Sequence, residues 1–223
     1  APDRKGSFAD AIAAATPSAE VEPRDIGDLS ALLYTSGTTG RSKGAMLTHQ
    51  NILSNTQALL ELWRFTADDV LVHMLPIFHT HGLFVATNVM LAAGGSMIFH
   101  PAFDLDALLA DLPRATALMG VPTFYTRLLS SPRLDRELVS HIRLFISGSA
   151  PLLAETHEAF EARTGKRILE RYGMTETGMN TSNPYDGERR AGTVGFPLPG
   201  TEIRITDEDG KVLEAEATGN VEV

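Results

Sequence analysis

The amino-acid sequence predicts an α/β protein with mostly parallel sheets flanked by helices, and with a small antiparallel β unit at the C-terminal end. Two observations predict this class. From Val70 to Glu170, short apolar runs of strand length alternate with helix-like segments that end near glycine or proline. After Gly173 the runs become short and alternating, and two of them flank Asp-Glu-Asp-Gly at 207–210, which is typical of a hairpin turn.

The elements are predicted in chain order from these patterns. Ser7 is a candidate N-cap for a short first helix, and 16–28 is a polar connector with two prolines. The strands are expected at 29–33, 45–48, 70–73, 96–99, 115–119, 144–146, 167–170, 201–205, 211–213 and 219–223. The later helices are expected at 83–92, at 105–112 after an Asp104 N-cap, at 122–129, and at 152–163 before Gly165.

The loop between the first two strands contains glycines, hydroxyl side chains and Lys43. Glycines let backbone N–H groups approach an anion, and the hydroxyls and the ammonium group add further donors. A polyphosphate is the ligand that this composition favours. A flexible linker has a similar composition, but a linker joins domains, whereas this loop lies between two strand-like runs. Neither a Walker A sequence nor a GxGxxG fingerprint is present.

Composition excludes several classes of protein. Acidic residues outnumber basic ones by 28 to 19 in 223 residues, and the basic residues are scattered, which argues against a nucleic-acid partner. The absence of cysteine excludes disulfides, thiolate metal sites and a cysteine nucleophile. The longest apolar stretch, 82–95, is interrupted by Thr87 and Asn88 and is too short to span a bilayer. We therefore expect a cytoplasmic protein without a membrane partner.

A second candidate ligand loop follows the strand at 167–170. Tyr172 could stack on a flat base, Thr175 could donate to a phosphate, and Glu176 could bind Mg²⁺, which prefers carboxylate oxygens alongside substrate phosphates. In open α/β sheets such loops lie where ligands bind, at the carboxyl ends of the strands. The structural alternative is a glycine turn that ends in a capping box at Thr177.

Taken together, the two loops resemble those of the adenylate-forming superfamily, which includes acyl-CoA synthetases, luciferases and adenylation domains. The shared motifs are Thr-Ser-Gly-Thr-Thr-Gly-x-x-Lys-Gly at 35–44, Pro-Ile-Phe-His-Thr-His-Gly at 76–82, Ser-Gly-Ser-Ala-Pro-Leu at 147–152 and Tyr-Gly-x-Thr-Glu at 172–176. The stretches 170–182 and 190–200 look like those of malonyl-CoA synthetases. The resemblance implies the partial large domain of an acid–thiol ligase that uses ATP, Mg²⁺ and coenzyme A.

The resemblance also implies roles for individual residues. The phosphates of ATP would be held by Thr35, Ser36, Gly37, Thr38, Thr39 and Lys43, with Thr175 at the α-phosphate and Glu176 on Mg²⁺. The adenine would lie against Ser149, Ala150, Pro151 and Tyr172, within an ATP-binding set that also includes Glu170, Arg171, Gly173 and Met174. The acyl group would lie near His79, Ser149, Thr80 and Met179, with His79, Thr175 and Glu176 as the catalytic set.

Two of these interpretations have structural alternatives. His79 and His81 could form a His-x-His metal site, but no third ligand accompanies them locally. Met179, expected with Thr80 beside the α-carbon of the substrate, could instead be an ordinary core residue.

A dicarboxylate substrate such as malonate carries a second carboxylate, which must also leave water. A buried carboxylate needs a charged partner, and arginine can bind it through two hydrogen bonds. Arg127 and Arg171 are the candidates, and each could instead belong to a surface ion pair. If one of them binds the distal carboxylate, a monoacid would leave it unpaired and would be rejected by ~10⁴-fold.

The domains expected are an N-terminal helix and connector at 1–28, an ATP- and acyl-binding core at 29–200, and the start of a small β subdomain at 201–223. The Thr-Gly-Asp ribose motif and the C-terminal lysine of the family are not in this sequence. We therefore expect a fragment of a longer ligase that is inactive alone. Another adenylating enzyme, namely a different acyl-CoA ligase or an acyl-carrier-protein ligase, and an inert structural fragment remain alternatives.

Overall fold

The computed structural model describes residues 7–35 and 42–223. Its centre is a seven-stranded sheet with the order β4-β3-β5-β6-β7-β8-β9, in which the first five strands are parallel. These strands are β3 (Val70–His73), β4 (Ser96–Phe99), β5 (Ala117–Gly120), β6 (Leu144–Ser147), β7 (Ile168–Met174), β8 (Gly178–Ser182) and β9 (Phe196–Pro197). Two-stranded antiparallel sheets are formed by β1 (Leu29–Thr35) with β2 (Lys43–Thr48), and by β10 (Arg204–Thr206) with β11 (Asn220–Glu222).

The helices complete the predicted α/β alternation, and the predicted fold class is confirmed. They are α1 (Ser7–Ala14), α2 (His49–Trp63), α3 (Asn88–Ala93), α4 (Leu105–Asp111), α5 (Pro122–Ser130) and α6 (Ala154–Thr164). Every residue of β5 and β6 is buried, as expected for central parallel strands that are covered on both faces. None of the helices in the described part of the chain combines the length and apolar character that crossing a bilayer requires.

The prediction at 83–92 placed the start of a helix two residues too late. The helical segment begins as a π-helix at His81–Thr87 and continues directly into α3. Gly82 is required inside it, because a Cβ atom there would lie 2.3 Å from the carbonyl oxygen of Pro76. π-Helical turns are rare and often occur at functional sites.

Helix α2 was not predicted. Its start is fixed by Thr48, whose side chain accepts from the N–H of Asn51, while the Asn51 side chain accepts from the N–H of Thr48. This capping box uses asparagine in place of the usual Glu or Gln, so its sequence signal is weak. The helix buries Leu59 and Trp63 completely in the main core.

The region 167–178 also differs from the prediction. Strand β7 extends through Tyr172 and Gly173 to Met174, and the turn to the antiparallel strand β8 lies at 175–177. Gly173 is therefore a strand residue, and a Cβ atom there would lie 2.3 Å from the Gly178 carbonyl oxygen. No helix begins at Thr177, so the capping-box alternative is wrong.

The hairpin predicted near 207–210 is only partly present. Strand β10 pairs with β11, and the segment 211–213 contributes an isolated bridge between Val212 and Thr206. At the other end of the chain, the candidate phosphate loop joins two antiparallel strands as predicted. Thr35 and Lys43 are register partners, so the two ends of the loop are adjacent. The loop residues 36–41 lie outside the described part.

Candidate active site at the carboxyl ends of the strands

A cavity of about 150 Å³ lies at the carboxyl ends of the central strands. The cavity is formed by the segments that follow β3 and β6 and by the paired strands β7 and β8. Its lining residues are His79, Thr80, His81, Ser149, Arg171, Gly173, Met174, Thr175 and Met179. With the exception of His81, all of these belong to the sets named from the sequence. The position agrees with the general location of ligands in open α/β sheets.

Arg171 is a buried cation for which the described residues, 7–35 and 42–223, provide no counter-ion. It is 3 % exposed, and its Nε and Nη2 atoms have no hydrogen-bond partner within the described part of the chain. Burial lowers its pKa to about 10. The guanidinium packs against Gly148, where a Cβ atom would stand 2.4 Å from Cζ. Since an unpaired buried charge costs several kcal/mol, this arrangement indicates a group that is completed by an anionic ligand.

Two histidines flank this guanidinium. Burial, and to a lesser extent the charge of Arg171, lowers the pKa of His79 below its ordinary value. The same two causes lower the pKa of the fully buried His81 well below 6.5, so His81 is neutral at pH 7. The backbone N–H of His81 donates to Nδ1 of His79 at 3.1 Å, which places the proton of neutral His79 on Nε2. Both rings can therefore approach a carboxylate without adding charge.

The segment after β6 supplies the remaining polar wall. Ser149 has φ of 69°, a conformation that is uncommon for a residue with a side chain, and its Oγ lies 3.1 Å from Nδ1 of His81. Glu170 supports this segment from below, because its Oε1 accepts from the N–H of Leu152 at 2.8 Å. Burial raises the pKa of Glu170. Glu170 therefore positions the loop and does not line the cavity.

A second cavity, of about 280 Å³, adjoins the first and shares Thr80, Thr175 and Met179 with it. It lies beside α2 and the turn between β7 and β8, and Glu176 is part of its wall. In the ranges 7–35 and 42–223, no cluster of three or more His, Cys, Asp or Glu could hold a metal ion. A single carboxylate fits Mg²⁺ only when nucleotide phosphates and water complete the coordination, so Glu176 fits a metal that arrives with ATP.

Other predicted residues lie farther from the cavity. Ala150 and Pro151 are exposed on the loop after Ser149, and Tyr172 is a half-buried residue of β7. Lys43 is exposed beside Thr35 at the open end of the β1–β2 pair. The phosphate-loop residues Ser36, Gly37, Thr38 and Thr39 lie outside the described part of the chain.

Arg127 is the one predicted substrate residue that the structure does not bring to the cavity. It is exposed on α5, and its guanidinium carbon lies 5.2 Å from the ring centre of Phe103. Asn55 on α2 was missed from the sequence, although its side chain contacts Met179 through two hydrogen bonds. No local pattern could have found it, because the two residues are 124 positions apart.

Comparison with known proteins identifies the family. The family model of the AMP-binding enzymes matches residues 2–223. The chain belongs to the AMP-binding enzyme family. This domain is 39 % identical to a malonate–CoA ligase of Arabidopsis thaliana over 212 residues. The matched region covers 86 % of this chain and 35 % of that protein.

Solved structures agree with this assignment to the AMP-binding enzymes. The ATP-bound MatB from Rhodopseudomonas palustris is 62 % identical, with a TM-score of 0.93 over 99 % of this chain and 44 % of that one. A malonyl-CoA ligase with methylmalonyl-CoA and AMP bound is 42 % identical, with a TM-score of 0.84 over 93 % of this chain and 45 % of that one. The AMP-binding domain described here thus spans less than half the length of these proteins.

Proposed function

We propose that this chain supplies the nucleotide- and carboxylate-binding core of an AMP-forming acid–thiol ligase that converts malonate into malonyl-CoA. The carboxylate of malonate attacks the α-phosphate of ATP, which forms malonyl-adenylate and releases pyrophosphate. The thiol of coenzyme A then attacks the acyl carbon and displaces AMP. The similarity of the chain to a malonate–CoA ligase and to a malonyl-CoA ligase supports this choice of substrate.

The observation that carries the proposal is the Arg171 guanidinium, which no described residue pairs with, in a cavity that Ser149 and Met179 also line. A monocarboxylate has one charged group, and that group must face the nucleotide. A dicarboxylate brings a second one, which can pair with Arg171 at the other end of a short substrate. An acid of the malonate class would thereby satisfy the buried cation, whereas a monocarboxylate would not.

The same geometry distinguishes between the two arginines proposed from the sequence. Arg127 faces solvent above Phe103, where a carboxylate would keep its hydration and gain little from the pairing. Arg171 is already dehydrated, so the pairing energy there is large. Arg171 is therefore our candidate for binding the distal carboxylate.

The first step brings an anion onto a polyanion, so positive charge and fixed donors must offset the repulsion. We assign the grip on the phosphates to Thr35, Lys43 and the loop between them. Thr175 would donate to the α-phosphate, and Glu176 would hold Mg²⁺ together with the phosphates. His79, with its proton on Nε2, would donate to the attacking carboxylate or to the oxygen that becomes charged.

Shape supplies the rest of the selectivity in this proposal. Thr80 and Met179 line both cavities and would lie next to the α-carbon of malonate. The adenine would lie over the exposed loop 149–151 with Tyr172 beside it.

The domain boundaries at 28 and 200 and the cytoplasmic location given above remain predictions.

The test is pyrophosphate exchange by the full-length protein with malonate, methylmalonate, acetate and octanoate. We expect malonate to support exchange with a kcat/KM on the order of 10⁴ times that of acetate, because acetate leaves Arg171 unpaired. Comparable exchange with acetate or octanoate would point to another adenylating enzyme. Titration of the isolated chain with ATP and Mg²⁺ separates a nucleotide binder from an inert fragment.

A further inference from the structure

Helix α2 makes an unusual contact with the strand that follows the candidate catalytic turn. The side-chain amide of Asn55 donates from Nδ2 to the carbonyl oxygen of Met179 at 2.9 Å, and its Oδ1 accepts from the Met179 N–H at 3.0 Å. One amide group thus satisfies both backbone groups of a single residue, as a neighbouring strand would. This pairing fixes the backbone of β8 at the residue whose side chain enters the small cavity.

The backbone before Met179 is shaped to fit this contact. Gly178 has φ of 70°, in the left-handed region, and a Cβ atom there would lie 2.9 Å from Cγ and Oδ1 of Asn55. A side chain at 178 would therefore displace the Asn55 amide. The turn 175–177, which carries Thr175 and Glu176, is directly continuous with this position.

At its N-terminal end, α2 follows directly on β2, the strand that comes after the candidate phosphate loop. Thr48 is both the last residue of β2 and the N-cap of α2, and β2 begins at Lys43. The helix thus connects the strand that leaves the phosphate loop to the turn that carries Thr175. Two parts of the ATP site that are far apart in sequence are joined by one rigid element.

We propose that Asn55 is a positioning residue for adenylate formation, which holds the 175–179 segment against α2, and thereby in a fixed position relative to β2 and Lys43, through its two hydrogen bonds to Met179. The proposal rests on the function proposed above. Asn55 lines the larger cavity, but we assign it no contact with a reacting atom. It acts through the placement of Thr175 and Glu176, and a displacement of about 1 Å in such groups can lower a rate by ~10²-fold.

The same helix provides a matched control. Trp63 Nε1 donates to Ser182 Oγ at 2.9 Å, so α2 also contacts β8 at the end of that strand that is remote from the turn. Both contacts tie α2 to β8, and both are expected to contribute to stability. Only the Asn55 contact lies next to the catalytic turn.

The experiment compares Asn55→Ala with Ser182→Ala in the full-length protein, using melting temperature and pyrophosphate exchange with malonate. We expect both variants to lower the melting temperature. Only Asn55→Ala should lower kcat, by ~10²-fold, with KM for ATP and malonate changed by less than about threefold, as expected when transition-state contacts are lost. Asn55→Asp keeps the acceptor for the Met179 N–H but cannot donate, so it should fold and show an intermediate kcat.

Two results would overturn the inference, one by failure of the positioning role alone and the other by failure of the proposed function. If Asn55→Ala and Asn55→Asp lose melting temperature as Ser182→Ala does but keep kcat within about threefold of wild type, the role of Asn55 is structural only. If the wild-type protein shows no exchange with any acid, the proposed function itself fails, and the positioning role fails with it.

Discussion

Two arginines at opposite ends of the same sheet differ in how their charge is satisfied. Arg143 immediately precedes β6, and its Nε and Nη2 atoms donate to the two carboxylate oxygens of Asp69 at 2.8 and 2.7 Å. Its Nη1 donates to the carbonyl oxygen of Trp63 at 3.0 Å. Arg171 lies in β7 toward the carboxyl end of the sheet, where its Nε and Nη2 donate to no group in the described part of the chain.

The ion pair at the amino ends joins three neighbouring strands. Asp69, Thr116 and Arg143 each immediately precede a strand, namely β3, β5 and β6, and these strands are adjacent in the sheet. Thr116 Oγ1 donates to Asp69 at 2.6 Å, and the N–H of Thr66 donates to the same carboxylate at 2.8 Å. The amino ends are therefore locked by a saturated polar network.

The carboxyl ends have the opposite character. Buried atoms that find no hydrogen-bond partner among the described residues there include His81 Nε2, Ser147 Oγ and His73 Nδ1, in addition to the Arg171 nitrogens. Buried polar groups are normally paired, so such a cluster needs an explanation. Of these residues, Arg171 and His81 line the small cavity, so the unpartnered guanidinium at the carboxyl ends contrasts with the fully paired one at the amino ends.

The largest expected effect is on the use of malonate when Arg171 is replaced. We expect Arg171→Ala to lower kcat/KM for malonate by ~10⁴-fold in the full-length protein, because the distal carboxylate loses its buried cationic partner. Pyrophosphate exchange measures it. The competing candidate is tested by Arg127→Ala, for which we expect less than a tenfold loss. A larger loss in Arg127→Ala than in Arg171→Ala would reverse the assignment of the distal-carboxylate partner.

Replacing Arg143, the paired arginine at the amino ends of the strands, should cause a large loss of stability. Arg143→Met leaves Asp69 buried without its cation, which we expect to lower the free energy of unfolding by about 3 kcal/mol. Urea denaturation measures the change. The control is Arg133→Met, which removes an ion pair with Asp106 in which both side chains are mostly exposed, and which should cost less than about 0.5 kcal/mol. Equal effects of the two substitutions would show that the Asp69 network contributes little.

The sequence predicted the α/β alternation well, because buried parallel strands are short apolar runs with clear ends, as at β5 and β6. It misplaced the turn after β7, because Gly173 suggests a turn locally, while its true constraint is the close approach of Gly178. It could not choose between Arg127 and Arg171. That choice depends on which side chain the packing against Gly148 buries, and no local pattern records such a contact.

A smaller effect should appear in the pH dependence of stability at the carboxyl ends. The folded-state pKa of His81 lies well below 6.5, so the unfolded chain binds a proton that the folded chain excludes. Stability is therefore lost as the pH falls below 6.5, at up to about 1.4 kcal/mol per pH unit from this group. His81→Asn should reduce that slope, although the lowered pKa values of His73, His79 and His157 also contribute to it. An unchanged slope in His81→Asn would contradict the buried, neutral state of His81.

The stability contributed by Asp69 at the amino ends of the strands should depend on pH in a lower range. Burial alone would raise the pKa of Asp69, but hydrogen bonds from Arg143, Thr116 and Thr66 outweigh it, and the net pKa is lowered from 3.8. A lowered carboxylate pKa gives stability that is present above 3.8 and is lost as the pH falls through the folded value. Acid titration of unfolding should show this loss in wild type and not in Asp69→Asn. A loss of equal size in the variant would assign the acid transition to other carboxylates.

The most direct test of the central claim is the stability of Arg171→Met in the full-length protein, with and without malonate. Both arms contain Mg²⁺ and a non-hydrolysable ATP analogue. Without malonate, we expect the variant to be at least as stable as wild type, because an unpaired buried cation is removed. Malonate at about 100 times its Kd should then stabilise wild type by about 2.7 kcal/mol and leave the variant unchanged. A variant that is several kcal/mol less stable without malonate, or that malonate stabilises equally, would contradict the account.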